Sequence, residues 1–246
     1  MKRSLGELEQ FFLETNDGIR GRIKDFLFDE KKWVVHYLDV KFKGIDASDR
    51  VLVPRVFLDI PIWKYRKIPA ELMKDTIERC PKIRSHLPVS RKYEEELNKH
   101  YQVVPYWSAA YFGPVGTYYP PRPIEGPVQD IEEDNLGSIL RSYNQVKGYH
   151  VETIDGRLGH IDDLIIDDSD WQIVYAIMDT SNWLPFSKKV MIAVSWMDRI
   201  SYVDREIRVK LNKETIKKAR EYYPHLVRDE DFEKSNYDYY SMSLEK

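Results

Sequence analysis

A single cysteine, Cys80, leaves no partner for an intramolecular disulfide, which fits a reducing compartment. It sits in an apolar helical pattern and reads as a buried, inert thiol. Charge of one sign is also lacking. The 38 basic side chains nearly match the 41 acidic ones, for a net charge of −3. A strong non-specific nucleic-acid binder would carry a basic excess. Long apolar runs are missing too. Lys2 and Arg3 are not followed by the apolar core of a secretory leader. Residues 103–121 hold no charge, but Pro105, Gly113, Pro114, Gly116, Pro120 and Pro121 break them too often for a membrane helix. Catalytic signatures are missing as well: no Gly-x-Ser-x-Gly elbow, no phosphate loop and no His-Glu-x-x-His. The six histidines are scattered. The expectation is a cytoplasmic protein that is not an enzyme and carries no cofactor.

What is present is a repeat. A chain of 246 residues suits two domains at about 100–200 residues each. Residues 13–37 match residues 151–175 at a constant offset of 138, with ten of 25 positions identical. Each copy begins with an Asp-Gly tight turn, Asp17-Gly18 and Asp155-Gly156. Gly21 and Gly159 follow, where a strand glycine marks a bulge or a close approach. Then come a strand carrying Asp25 or Asp163, an acidic turn, and a strand opened by Trp33 or Trp171. Short strands and close turns without crossover helices predict a small antiparallel barrel in each half.

A helix is predicted to close each copy. Pro69 is placed at the start of the first, with Leu72, Met73, Thr76, Ile77 and Cys80 on one face before Pro81. Asn212 caps the second, and Ile216, Ala219 and Tyr223 form its stripe before Pro224.

These motifs resemble the PRC-barrel family, the fold of the cytoplasmic domain of the photosynthetic reaction-centre H subunit. The resemblance covers roughly residues 5–82 and 148–226, and the segment from Ser90 to Trp107 resembles the connector of tandem bacterial members. It implies a mainly β protein with two small antiparallel barrels, each followed by a short helix. An aromatic, proline-rich connector with one helix joins them. The expected divisions are 1–82 for the first barrel, 83–147 for the helix and connector, 148–228 for the second barrel, and 229–246 for a flexible acidic tail. The family implies an interaction adaptor. Its members include the H subunit, whose membrane helix is not visible here, and a ribosome maturation factor with a different N-terminal domain. Fold alone transfers neither function.

Three surfaces are worth weighing. Asp163, Asp167, Asp168 and Asp170, with Asp162, offer the hard oxygens a metal ion favours. They lack the glycine and distal glutamate of a calcium loop, and Asp at turns usually bonds its own backbone, so no metal site is assigned. Tyr101, Tyr106, Trp107, Tyr111, Phe112, Tyr118 and Tyr119 crowd the connector. They read first as packing between barrels and second as a docking surface for a protein partner or another copy. No Lys or Arg lies among them to favour RNA. Basic residues at Lys64, Arg66 and Lys67 read as a solvated face. The leading function is a non-catalytic adaptor. The alternatives are a small-molecule or metal-binding protein using the cleft between barrels, and an RNA- or ribosome-associated factor.

Overall fold

The extended runs of both halves become strands whose apolar residues turn inward. The computed structural model describes residues 1–43, 50–82, 89–108, 140–180 and 188–244. The first half runs β1 (Lys2–Ser4), α1 (Leu5–Leu8), β2 (Phe12–Thr15), β3 (Arg20–Asp29), β4 (Val34–Phe42), β5 (Val51–Pro54), β6 (Lys67–Ala70), α2 (Lys74–Arg79) and α3 (Arg91–Tyr101). The second half follows the same order with one further strand before its last one. Its elements are β7 (Leu140–Ser142), α4 (Tyr143–Val146), β8 (His150–Thr153), β9 (Gly156–Asp167), β10 (Gln172–Asp179), β11 (Lys189–Ala193), β12 (Met197–Ser201), β13 (Glu206–Val209), α5 (Lys213–Lys218) and α6 (Glu230–Leu244). Leu13, Phe26, Leu38, Val53 and Ile68 are buried in one half, and Val151, Leu164, Ala176, Ile192 and Ile207 at the matching places in the other.

Spacing suggested two separate, closed, antiparallel barrels. The pairing shows one open mixed sheet containing all thirteen described strands. β2 pairs with β6, and β8 with β13, in parallel. The halves merge because each gives its first strand to the other. β1 lies on β9 with Lys2 opposite Asp167, and β7 lies on β3 with Leu140 opposite Asp29. Between them β4 and β10 meet at Val34 and Gln172, themselves 138 residues apart. The Val35 amide donates to the Trp171 carbonyl at 3.0 Å, and the Ile173 amide donates to Trp33 at 2.7 Å. This is the pattern a local twofold axis between β4 and β10 produces.

The Asp-Gly turns also fix where the closing helices begin. Asp17 accepts from the Lys74 amide at 2.9 Å, and Asp155 accepts from the Lys213 amide at 2.8 Å. The first helix therefore starts at Lys74 rather than Pro69. Pro69 sits in strand β6, between β2 and the arm that leads to Ile62, with its carbonyl accepting from the Asp59 amide at 3.0 Å. Asn212 caps α5 by accepting from the Thr215 amide at 2.8 Å. The stripe on α5 stops at buried Ala219, and Tyr223 lies beyond the helix, 48% exposed.

The largest difference from expectation is the C-terminus. Residues read as a flexible acidic tail form α6. Asp229 accepts from the Phe232 amide at 2.8 Å, which makes it an N-cap. Glu230, Asp231 and Glu233 occupy the first turn, where the helix dipole favours acids. Phe232, Asn236 and Tyr240 are spaced by four, share one face and are buried. α6 stands where α3 stands in the first half. Tyr101 packs on Phe57 at 5.5 Å and Tyr240 on Trp196 at 4.8 Å. His100 Nε2 contacts the Thr76 carbonyl, and the Tyr239 hydroxyl donates to the Thr215 carbonyl, both at 2.9 Å. Among the described residues no helix is long and apolar enough to cross a membrane.

Candidate functional site

The repeat motif converges on the place where the strands cross. In β3 the pairing with β4 shifts between Ile23 and Asp25, and in β9 the pairing with β10 shifts at the matching residues, Ile161 and Asp163. Such bulges re-aim side chains. Asp25 accepts from the Ser142 hydroxyl at 2.5 Å, the Asn144 amide at 3.1 Å and the Phe26 amide at 2.8 Å. Asp163 accepts from Ser4 at 2.5 Å, the Gly6 amide at 3.1 Å and the Leu164 amide at 2.8 Å. Each aspartate thus receives the serine and helix start that cross over from the other half. Asp163 has a further donor, the Tyr143 hydroxyl at 2.9 Å. Burial raises the Asp25 carboxyl to about 6, against the lowering effect of its three donors.

Ser4 and Ser142 also cap the helices they begin, accepting from the Glu7 amide at 2.9 Å and the Gln145 amide at 3.0 Å. Beside them Arg3 and Arg141 act as clasps. Arg3 reaches Asp168 of the opposite half at 3.0 Å and stacks over Trp63 of its own half at 4.1 Å. Arg141 pairs with Glu30 of the opposite half and stacks over Tyr202 of its own at 4.1 Å. The repeat extends upstream of Leu13. One step further, Arg3-Ser4 against Arg141-Ser142 at the same offset marks this crossing.

The remaining motif residues shape turns. A Cβ on Gly21 would come within 2.4 Å of Val40 Cγ1, and one on Gly159 within 2.1 Å of the Asp179 carbonyl. Gly18 and Gly156 take positive φ, as an Asp-Gly turn requires. Trp33 and Trp171 also have positive φ, 56° and 61°, and stand beside the β4–β10 contact.

The metal candidates are placed within the same network. Asp163 is enclosed by its four donors. Asp167 accepts from Ser169 and the Met1 amine, Asp168 holds Arg3, and Asp170 accepts from the Gln172 amide. Among the described residues no three acids, histidines or cysteines gather as a metal would need. Of the connector aromatics, Tyr106 is buried and stacks on His36 at 3.7 Å, and Trp107 lies under Arg91 at 3.8 Å. Tyr111, Phe112, Tyr118 and Tyr119 lie outside the described residues. Tyr101 is buried and donates to Cys80 Sγ at 3.3 Å, and burial raises that thiol to about 11.

A small cavity opens between β4, α3 and the segment after it, lined by His36, Arg55, Asn98, Val103 and Tyr106. It admits about one water molecule. His36 is held neutral, its pKa lowered by burial and then by Arg55 and Lys32.

Residues 138–216 match the family model of the PRC-barrel domain, so a PRC-barrel domain is present in the second half. No curated protein matches the chain. The matched span begins just before the exchanged strand β7 and includes Ser142, Tyr143, Asp163 and Trp171.

Proposed function

We propose that the chain is a tandem of two PRC-like units and acts as a non-catalytic adaptor that presents its outer surfaces to a protein partner. The first unit corresponds to residues 1–82 by element order, by core positions and by the reciprocal strand exchange. One observation carries the adaptor reading. Three pairs of ionisable groups that the two halves hold at equivalent places, Asp25 and Asp163, Arg3 and Arg141, Glu30 and Asp168, are spent on joining one half to the other. Their chemistry builds a rigid frame and leaves the loops and outer helix faces to recognise partners. Crosslinking in the native host followed by affinity recovery tests this. A reproducible protein partner, lost when outer-surface residues are changed but not when Cys80 is, is the expected result. A monodisperse monomer with no crosslinked partner overturns it.

A further inference from the structure

The two halves carry equivalent hairpins whose inner sides agree and whose outer sides do not. In the first half the arms are bridged at Leu58–Ala70 and Ile62–Lys67, and the turn Trp63–Tyr65 ends on Arg66 at φ 46°. In the second half Met197 pairs with Val209 and Ser201 with Glu206, and Arg205 takes φ 52°. On the inner side Trp63 packs edge-on against Phe11 at 4.7 Å with Arg3 over its face. Its counterpart Tyr202 packs against Tyr149 at 6.3 Å with Arg141 over its face. The fold needs these inner contacts.

It does not need the outer side chains of the first hairpin. Ile60 is 66% exposed, Ile62 37% and Tyr65 63%, yet their counterparts are Arg199, Ser201 and Asp204. Lys64 and Arg66 are exposed between and beside them. Residues 59–67 carry the exposed cations Lys64 and Arg66, and Lys67 paired with Glu14, against the single acid Asp59, whereas 198–206 carry Asp198, Asp204 and Glu206 against two arginines. Large exposed apolar side chains on a turn that also carries Lys64 and Arg66 fit the boundary of a lipid layer. The isoleucines enter the acyl edge, the tyrosine ring sits at headgroup depth and the cations meet anionic headgroups.

We propose that the hairpin around Ile60, Ile62, Lys64, Tyr65 and Arg66 docks the protein peripherally on an anionic phospholipid surface. This stands on residues separate from those that carry the adaptor reading. The test is co-sedimentation of the full chain with phosphatidylcholine vesicles, with and without phosphatidylserine. The expected result is binding that needs phosphatidylserine and weakens with salt. Lys64→Glu should weaken it on the order of tenfold. The triple variant Ile60→Ser, Ile62→Ser, Tyr65→Ser should abolish it, while Val203→Ser on the other hairpin leaves it unchanged. Unaltered circular dichroism and melting show that the variants fold, and the Lys64→Glu arm needs no core change. Three outcomes overturn the proposal: no vesicle binding by the wild type, binding as strong as the wild type's by the Lys64→Glu and triple variants, or binding to polyglutamate but not to vesicles. The last would assign the hairpin to an acidic protein.

Discussion

Asp25 and His36 place opposite pH dependences in one half of the molecule. The Asp25 carboxyl rises from an ordinary value near 3.8 to about 6 in the fold. A raised value means the folded state binds the proton more tightly. The contribution is full below about pH 4 and is lost as the pH climbs through 6, a change of about 3 kcal/mol. His36 is lowered by burial, so its neutral form is the one the fold keeps. Its contribution is full above an ordinary imidazole value of about 6.5 and is lost as the pH falls below it. The two windows overlap and offset one another. Asp25→Asn keeps a carbonyl oxygen for the Asn144 and Phe26 amides and removes the titration. Urea unfolding of that variant should show stability rising with pH between about 4 and 6.5, where the wild type is flatter. His36→Phe keeps the stack on Tyr106, and its stability should fall with rising pH over the same range. Equal slopes for both variants and the wild type would show that neither group titrates across unfolding.

The exchanged strands are three residues each, so side chains and caps supply much of their hold. Ser142→Ala leaves Asp25 with two backbone donors, whereas Ser4→Ala leaves Asp163 with two backbone donors and the Tyr143 hydroxyl. Both changes also remove a helix cap. At pH 7 Ser142→Ala should be the costlier, by about 1 kcal/mol more than Ser4→Ala, measured by chemical denaturation. Equal losses would mean that the tyrosine donor adds nothing. At this scale much was legible in the residues. The Asp-Gly turns, the two strands after them and the Asn212 cap follow from local chemistry. What was not legible had a physical cause. The acids of 229–233 look like a solvated tail by charge density alone, yet at a helix N-terminus the same charges stabilise. Pro69 reads as a helix start because nothing local shows that residues 67–70 pair in parallel with β2. The exchange of β1 and β7 is a pairing between residues about 165 and 113 apart, and short-range patterns do not report such contacts.

For the whole molecule, the exchange makes each half incomplete without the other. The span 138–216 matched by the PRC-barrel domain includes β7, yet β7 pairs with β3 outside that span. It also leaves β9 to be covered by β1 from the other half. Remove residues 1–137 and two needs remain: β7 lacks a strand to join, and Asp163 loses Ser4 and the Gly6 amide. A second copy of residues 138–244 supplies both, because the segment that crosses is itself half of a twofold arrangement. Closing β7 onto its own β9 would pull against Tyr143, whose hydroxyl is tied to Asp163 of the same half while Ser142 leads away to Asp25. Closed twofold pairing is the ordinary outcome for a self-complementary surface of this kind. The isolated segment 138–244 should therefore sediment as a dimer in which β7 of each copy lies on β9 of the other. Ser142→Pro, which also breaks the cap on α4, should shift it toward monomer. The full chain, having met both needs internally, should not form this dimer through the crossing strands. A segment that stays monomeric and folded at high micromolar concentration would show that β7 can close its own half, and that the exchange is a consequence of joining two units rather than a requirement of either.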